Sequence, residues 1–359
     1  MRAAVMEGLA RPLVVRELRA ADPGPHEVVV RLSASGVCHT DLHVLHGGLR
    51  IPVPAVLGHE GAGVVERTGA AVQRVRAGDR VITSAAGACG TCFFCVRNEP
   101  QNCEQITTLV STPRFVGDDD EVLQGFAGLG TFAEAMTVHE SSVIPVRTDL
   151  PAEQLALVGC GVVTGVGAVV NTAKVEPGMT VAVIGCGGVG QSAIQAAVLS
   201  GAACVVAIDP VELKRSAARR AGASVALEPG DSLTDEVMSR TDGRGVDVAI
   251  EAVGSAATIT AAWQITRRGG TVVVVGAADP ADVVSLGAAD IILSRKTLKG
   301  SIFAGGDAQK LIPLIVRLTE AGRFDLESMV SKTIGLDDID TAIEDMQLGR
   351  VTRSVIAYA

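Results

Sequence analysis

Four closely spaced cysteines are the strongest chemical signal in this chain of 359 residues. They form a CxxCxxCx7C run in a glycine-containing, loop-like segment and comprise Cys89, Cys92, Cys95 and Cys103. Four thiolates complete a tetrahedral shell and leave no position for water or substrate, which is typical of a structural zinc ion. We therefore predict a zinc-bound lobe over residues 89–103, which has little apolar core of its own.

Three further candidate ligands lie on either side of this run. Cys38 begins the segment CHTDLH, His59 lies in LGHEGAG, and Cys160 follows much later in the chain. Three protein ligands leave one coordination position open, as in catalytic zinc sites, where the metal lowers the pKa of a bound oxygen. Asp41 is a candidate to accept a hydrogen bond from the second ring nitrogen of His59 and so fix its tautomer. A single histidine in an apolar setting is more often a core residue, so this prediction depends on the three ligands meeting in the fold.

A glycine-rich turn predicts a dinucleotide site. Gly185, Gly187 and Gly190 form GxGxxG directly after the strand-like VAVI and before the helix-forming QSAIQAAVL. Such glycines permit a tight turn, close approach of a pyrophosphate and close packing of helix on strand. Asp209 ends the next strand-like run, where a carboxylate would bind the ribose hydroxyls and repel a 2′-phosphate, which favours NAD over NADP. Alternatively, Asp209 only caps the following helix, and Lys214, a second candidate for the ribose, is only a solvated surface residue.

The elements around these residues fall into two patterns. The first 150 or so residues contain short β-like segments at 27–33, 61–67 and 80–83, separated by Gly and Pro. From about residue 180, strand-like runs alternate with helical ones, which indicates a parallel sheet of βαβ units. The predicted class is therefore α/β, with a mostly β domain and a doubly wound cofactor domain. The boundaries are 1–161 with 303–359 for the first domain and 162–302 for the second.

Composition narrows the classes of partner. The net charge is −9 and aromatic residues make up only 3%, so we expect no nucleic-acid partner. The N-terminus lacks the apolar stretch of a signal peptide, and the uncharged stretch 154–173 is interpreted as a buried helix rather than a membrane span. The eight cysteines are explained as zinc ligands or buried residues without a disulfide framework, so we expect a cytoplasmic protein with no membrane partner.

The motifs, taken in order, resemble those of the zinc-containing alcohol dehydrogenases of the medium-chain dehydrogenase/reductase family. The likeness covers essentially the whole chain and is greatest to the longer-chain branch. Its motifs are GVCHTD, LGHEGAGVV, CGTCFFCVRNEPQNC, GCGVVTGVG, GCGGVG and GRVTRSVIAY. The resemblance implies a GroES-like catalytic domain, a Rossmann domain, NAD, and two zinc ions per subunit, one catalytic and one structural. It also implies a homodimer joined through the cofactor domains, with a tetramer as the alternative found in shorter relatives.

The resemblance also assigns roles to individual residues. Cys38, His59 and Cys160 match the catalytic zinc ligands, and Glu60 matches a neighbouring carboxylate that can approach the metal. Thr40 matches the hydroxyl that takes the alcohol proton, and His43 matches the imidazole that passes it on to solvent. The remaining cofactor contacts implied by the matching motifs are His39, Thr164, Gly188, Val189 and Arg353.

Three departures from the family pattern modify these expectations. His39 stands where many members carry a phosphate-binding arginine, which predicts a weaker hold on NAD and faster NADH release. Thr107 replaces an arginine of the glutathione-linked formaldehyde dehydrogenases, which argues against a glutathione adduct as substrate. Ala85 occupies a position that often carries an aromatic side chain, so we predict a wider pocket for bulky or aromatic alcohols.

The predicted reaction is the NAD-dependent oxidation of a primary or secondary alcohol to an aldehyde or ketone, or its reverse. Two alternatives remain open. One is a related NAD and zinc dehydrogenase with a dedicated substrate, such as a polyol or a thiol adduct of formaldehyde. The other is a non-catalytic NAD-binding redox sensor, although such proteins usually lose ligands or relay residues that this chain retains.

Overall fold

The computed structural model describes residues 1–85 and 87–358 and divides the chain into two compact units. Unit 1 consists of Met1–Cys160 together with Asp307–Ala359, and unit 2 is Gly161–Gly306. The boundaries predicted from the sequence follow residues 161 and 302.

The N-terminal part of unit 1 is rich in β-strands. Its strands are β1 (Arg2–Met6), β2 (Val14–Glu17), β3 (Arg19–Ala20), β4 (Glu27–Gly36), β5 (Ala55–Val56), β6 (Glu60–Thr68), β7 (Arg80–Thr83), β8 (Phe115–Val116), β9 (Val122–Gly125), β10 (Ala135–His139) and β11 (Val143–Pro145). Its helices are α1 (His39–Leu45), α2 (Ile106–Ser111) and α3 (Ala152–Leu157). One sheet has the order β2-β1-β5-β9-β8-β3.

Strand β4 organises the second sheet of unit 1. Its apolar run is buried along most of its length, as expected for a strand covered on both faces. It pairs antiparallel with β6 in a register that sets Gly36 opposite Glu60. The residues just after β4 and just before β6 are therefore brought side by side, and these segments carry Cys38 and His59.

Unit 2 contains a parallel sheet flanked by helices. Its strands are β12 (Thr180–Ile184), β13 (Cys204–Ile208), β14 (Val225–Leu227), β15 (Val246–Glu251), β16 (Thr266–Val274) and β17 (Thr297–Gly300). Its helices are α4 (Val163–Gly167), α5 (Gly188–Leu199), α6 (Glu212–Arg220), α7 (Leu233–Ser239), α8 (Ala256–Ile265) and α9 (Ala288–Ser294). The sheet order is β14-β13-β12-β15-β16-β17 with every neighbouring pair parallel, which is the doubly wound Rossmann order and confirms the predicted fold class.

The C-terminal segment returns to unit 1. It forms α10 (Ala308–Glu320), β18 (Lys332–Ile334), α11 (Ile339–Gln347) and β19 (Ser354–Ala357). Strand β19 pairs antiparallel with β4 in a register that sets Val355 opposite Gly36. The residues that precede β19 therefore lie beside the end of β4, and Arg353 is one of them.

The apolar stretch interpreted as a buried helix lies within a helical segment that extends from Ala152 to Ala173. Its mean hydropathy is 1.8, and 72% of its most apolar window is buried. A helix buried to this extent is typical of a protein core. Cys160 lies in a π-helical turn, Val158–Val162, and such turns are frequent at functional sites.

Candidate metal centres and cofactor site

The predicted catalytic ligands meet in unit 1. Among the described residues, Cys38, His59, Glu60 and Cys160 each offer a ligand atom, and these atoms all lie within 4.8 Å of one another. The fold thus brings together the three ligands that the sequence predicts and adds the Glu60 carboxylate to them.

Asp41 connects the two segments that carry the first ligands. Its Oδ2 accepts a hydrogen bond from the Cys38 backbone N–H at 3.1 Å, and its Oδ1 accepts one from the Gly58 N–H at 3.0 Å. Oδ1 also lies 3.0 Å from Nδ1 of His59, the contact that the sequence predicts. Because Asp41 is fully buried, these contacts are shielded from competing water. They fix the His59 ring with Nε2 available for another partner.

The donor atoms of this cluster fit a zinc ion. Nε2 of His59 is buried and has no hydrogen-bond partner among the described residues. An orphaned buried nitrogen is costly unless a ligand satisfies it. Two thiols and one imidazole nitrogen form the Cys2His donor set known from catalytic zinc sites. Cys38, His59 and Cys160 would therefore hold the metal.

Glu60 also belongs to a buried ion pair. Arg353 donates from Nη2 to Oε2 of Glu60, and both side chains are almost completely inaccessible. Gly36 lies against this pair, since a Cβ atom built on it would overlap Glu60 Oε2. The glycine of GVCHTD is thus required by the close approach of a carboxylate.

The surrounding groups favour the thiolate of Cys38. A hydrogen bond from Cys160, assisted by the positive charges of His59 and Arg353, lowers the pKa of Cys38 well below that of an ordinary thiol. The same hydrogen bond, together with burial, raises the pKa of Cys160. A zinc ligand must be deprotonated, so Cys38 is the thiol of the pair that is more ready to bind.

The predicted relay residues lie on α1. Thr40 Oγ1 is 3.6 Å from the Cys38 sulfur, which places this hydroxyl next to the ligand cluster. His43 is half-buried and follows at a spacing that puts it on the same helix face as Thr40. His39 begins the helix and is exposed.

The other cysteines form a closed cluster. The Sγ atoms of this cluster all lie within 4.8 Å of one another, and they belong to Cys89, Cys92, Cys95 and Cys103. The Sγ–Sγ distance is 4.0 Å both for Cys89 and Cys95 and for Cys92 and Cys103. Tetrahedral zinc with Zn–S bonds of about 2.3 Å requires sulfurs about 3.8 Å apart, so the spacing fits the metal. A disulfide, at about 2.05 Å, is excluded by the same distances.

Backbone N–H groups support negative charge in this cluster. The N–H of Thr91 lies 3.5 Å from the Cys89 sulfur, and the N–H of Gln105 lies 3.4 Å from that of Cys103. The contact from Thr91 lowers the pKa of Cys89 to about 6, whereas burial raises that of Cys95 to about 12. The cluster would therefore deprotonate fully only with a metal ion to share the charge.

The glycine-rich turn of unit 2 has the geometry of a dinucleotide site. Gly185 has φ of +90°, and a Cβ on Gly190 would overlap the carbonyl of Gly185, so both positions require glycine. A Cβ on Gly187 would meet nothing within 4 Å. This open space at the N-terminus of α5 suits a pyrophosphate that approaches the backbone. Gly188 and Val189, also predicted to contact the cofactor, form the first turn of α5.

Asp209 lies beside the same turn. Its Oδ2 accepts a hydrogen bond from the Cys186 N–H at 2.8 Å, and its Oδ1 accepts one from the Val211 N–H at 2.9 Å. The second contact closes a turn before α6, whose N-cap is Val211 and has no side-chain cap, so the alternative role of a helix cap is not observed. The first contact ties the carboxylate to the glycine-rich loop. Asp209 therefore lies at the position expected of a ribose ligand.

Comparisons with known proteins agree with this geometry. Residues 24–148 match the family model "Alcohol dehydrogenase GroES-like domain", and residues 188–317 match "Zinc-binding dehydrogenase". A Mycobacterium tuberculosis protein, provisionally named alcohol dehydrogenase D, is 38% identical over 99% of both chains. The chain belongs to the zinc-containing alcohol dehydrogenases of the medium-chain dehydrogenase/reductase family. It is thus an oxidoreductase of the zinc-binding alcohol dehydrogenase type.

Other alcohol dehydrogenases match along their full lengths. The NDMA-dependent alcohol dehydrogenase of Amycolatopsis methanolica is 35% identical over 100% of this chain and 99% of its own. The crystal structure of benzyl alcohol dehydrogenase from Acinetobacter calcoaceticus superposes with a TM-score of 0.93 at 31% identity, covering 100% of this chain and 99% of the other. The GroES-like and Rossmann domains expected from the resemblance are therefore confirmed.

The other predicted positions of this alcohol dehydrogenase lie in different environments. Arg353, assigned to the cofactor pyrophosphate, is bound to Glu60, so its cofactor role stays a prediction. Lys214 is half-buried on α6, and Thr164 is buried in α4. Ala85 packs against the β core of unit 1, and Thr107 is exposed on α2.

Two features of this dehydrogenase were missed from the sequence. One is the Glu60–Arg353 pair, which depends on the pairing of β4 with both β6 and β19. The other is Arg215, which donates to the Asp209 carbonyl at 2.7 Å. The position of Arg215 on α6, soon after the acidic residue, was the only available signal for it.

Proposed function

We propose that the chain is an NAD-dependent zinc alcohol dehydrogenase. It converts a primary or secondary alcohol and NAD into an aldehyde or ketone, NADH and a proton, or runs in reverse. The observation that carries the proposal is the buried cluster of Cys38, His59 and Cys160, with His59 Nε2 left without a partner. It adjoins Thr40, whose hydroxyl is suited to proton transfer.

The residues of the chain bind, orient and move protons. Asp41 holds the Cys38 turn and the His59 ring, while Arg353 holds Glu60. When bound, zinc would polarise the substrate oxygen and NAD would accept the hydride. Thr40 Oγ1 takes the hydroxyl proton of the substrate. His43, on the same face of α1, releases it to solvent, since an imidazole can accept and donate a proton.

NAD is favoured as the redox partner by the open space at Gly187 and by the buried carboxylate of Asp209. The name of the Amycolatopsis relative says that it depends on NDMA. NDMA is therefore a specific alternative to NAD as the electron acceptor of this chain, and it should be tested alongside free NAD.

A bulky or aromatic alcohol is the proposed substrate class. Ala85 has a small side chain where many family members carry an aromatic ring, and a structural neighbour is a benzyl alcohol dehydrogenase. We expect Ala85→Phe to lower kcat/KM for benzyl alcohol relative to ethanol by roughly tenfold, the scale of one steric misfit in a pocket. An unchanged ratio would exclude Ala85 as a determinant of pocket width.

The experiment that tests the function is an initial-rate assay of the zinc-loaded chain. NADH formation is followed with NAD and alcohols from ethanol to benzyl and cinnamyl alcohol, in parallel with an assay containing NDMA. Turnover with NAD alone supports the proposal. Turnover that requires NDMA would indicate an NDMA-dependent dehydrogenase. Bound NAD without turnover would favour a dedicated substrate, such as a polyol or a thiol adduct of formaldehyde, or a non-catalytic redox sensor.

A homodimer in the cytoplasm is also proposed. The edge strand β17 is exposed, and the neighbouring α9 carries Ile292 and Leu293, which are 74% and 72% exposed. An apolar patch beside an unpaired strand edge is typical of an association surface. All eight cysteines are free thiols, as expected in a reducing compartment.

A further inference from the structure

The end of β13 carries two residues with opposite implications for cofactor choice. In Rossmann folds an acidic residue here binds the ribose 2′-hydroxyl of NAD, whereas a nearby arginine accommodates the 2′-phosphate of NADP. This chain has both, with Asp209 after β13 and Arg215 on α6. The sequence alone therefore does not decide whether the arginine is available to a phosphate.

The structure shows that every nitrogen of Arg215 is engaged. Nη1 donates to the carbonyl oxygens of Asp209 and Pro210 at 2.7 and 2.8 Å, and Nε donates to Glu212 at 2.9 Å. Nη2 lies 2.8 Å from Glu212 and 3.3 Å from Glu228. The side chain is only 11% exposed. A guanidinium held on all sides has no N–H edge left for a bidentate phosphate contact.

The two carboxylates that hold Arg215 come from different elements. Glu212 begins α6, and Glu228 directly follows β14, which pairs with β13 in parallel. Hydrogen bonds from Arg219, Ser216 and Arg215 lower the pKa of Glu212 to about 2, so this carboxylate is charged at neutral pH. Arg215 is therefore neutralised by carboxylates that come from two elements.

We propose that Glu212 and Glu228 determine cofactor choice by holding Arg215 against the end of β13. This arrangement denies the 2′-phosphate of NADP the guanidinium of Arg215 and keeps two carboxylates beside that guanidinium. The ribose hydroxyls of NAD need only the Asp209 carboxylate, which the same contacts leave in place. The inference rests on the proposed use of NAD and names the residues that exclude NADP.

The test is a direct binding measurement that does not depend on turnover. Calorimetric titration of the zinc-loaded full chain gives the Kd of NAD and of NADP for wild type and for the variant Glu212→Gln/Glu228→Gln. We expect the Kd of NADP to fall by at least about tenfold, the scale of one hydrogen bond to a charged group, while that of NAD changes by less than about threefold. Glu228→Gln alone, which keeps the contacts within α6, should give part of this gain.

A matched control removes the same charge elsewhere in unit 2. Asp235→Asn/Asp242→Asn neutralises two exposed carboxylates outside the end of β13 and should leave the NADP to NAD ratio unchanged. Adding Arg215→Gln to the double variant should abolish the gain in NADP binding. If the gain persists without Arg215, general charge removal is responsible and the assignment to Arg215 is overturned.

The remaining outcomes separate this inference from the proposed function. Tight NAD binding by wild type, with no gain for NADP in either carboxylate variant, overturns the inference and leaves the proposed function intact. Wild-type binding of NADP as tight as that of NAD overturns the inference as well. Failure of wild type to bind NAD removes the proposed function, and the inference with it.

Discussion

At the scale of single residues, Asp41 is the side chain that joins the two halves of the catalytic ligand set. It accepts hydrogen bonds from the Cys38 and Gly58 N–H groups and contacts His59 Nδ1, all at 3.0–3.1 Å. A carboxylate in this position raises the basicity of a metal-binding imidazole and fixes its tautomer. Its charge, as well as its shape, therefore matters to the site.

We expect Asp41→Asn to lower zinc affinity and turnover by about 10- to 100-fold, because the amide keeps the size of the side chain but loses the charge that supports His59. The measurement is a chelator competition for zinc alongside initial rates. Asp22→Asn, which alters an exposed ion pair with Arg67, is the matched control and should behave as wild type. If Asp41→Asn kept the zinc affinity and the rate of wild type, the charge of Asp41 would have no role in supporting His59.

The ligand types could be predicted from the sequence because thiols and imidazoles at recognisable spacings restrict the chemistry. The contact between Asp41 and His59 could be predicted for the same reason. The Glu60–Arg353 pair could not, because its two members are adjacent only through the registers of β4 with β6 and β19. The contacts that engage Arg215 could not be predicted either, because Glu228 follows a separate strand, β14.

At the scale of elements, the central strand β4 is fixed at its first residue as well as at its last. Glu27 accepts hydrogen bonds from Arg114 Nε at 2.7 Å and from the Gly24 N–H at 2.9 Å. Partial burial raises the pKa of Glu27, but these hydrogen bonds outweigh it and lower the pKa below 4.5. The ionised carboxylate thus stabilises the junction of β4 with the segment before β8.

We expect Glu27→Gln to reduce the free energy of unfolding by about 1 kcal/mol at pH 7, a value discounted for solvent screening. Since the folded pKa is lowered, this stabilisation is present above about pH 4.5 and is lost as the pH falls through the folded value. The difference in urea midpoint between wild type and Glu27→Gln should therefore be largest at pH 7 and should shrink as the pH is lowered below about 4.5. Glu66→Gln, in an exposed pair with Arg31, should have little effect at either pH. A Glu27→Gln difference that is independent of pH would contradict this interpretation.

The elements themselves were predicted well where the hydrophobic pattern was regular. The strand at 80–83 was predicted with the observed bounds, and the strand predicted at 61–67 is observed as β6 with one more residue at each end. Strand β4 extends three residues beyond the predicted end at residue 33, up to Gly36. Its polar and small final residues carry no strand signal, and pairing with β6 and β19 extends it.

At the scale of the whole molecule, the exposed edge of the parallel sheet is the surface that we propose for dimer assembly. Strand β17 is exposed at every residue, including Leu298, and lies beside the apolar residues of α9. The alternation of strands and helices predicted this sheet, and the sequence analysis assigned the tail, residues 303–359, to the first domain. Oligomeric state depends on a surface that composition does not reveal.

We expect Leu298→Lys to convert a dimer into monomers, because a lysine on an edge strand opposes pairing with a second edge. Light scattering during size-exclusion chromatography gives the mass of each species. Leu213→Lys, the same change at an exposed position on α6, should leave the mass unaltered. A wild-type monomer, or a Leu298→Lys dimer, would exclude this edge as the interface.

The central claim is that the Cys38, His59 and Cys160 cluster holds the zinc ion on which alcohol oxidation depends. The most direct test measures zinc content, NAD binding and alcohol-dependent NADH formation for Cys38→Ser, with Cys204→Ser as a control outside both clusters. The predicted result for Cys38→Ser is the loss of one of two zinc ions and at least about a 100-fold fall in rate, with NAD binding retained. Wild-type turnover in Cys38→Ser would contradict the account.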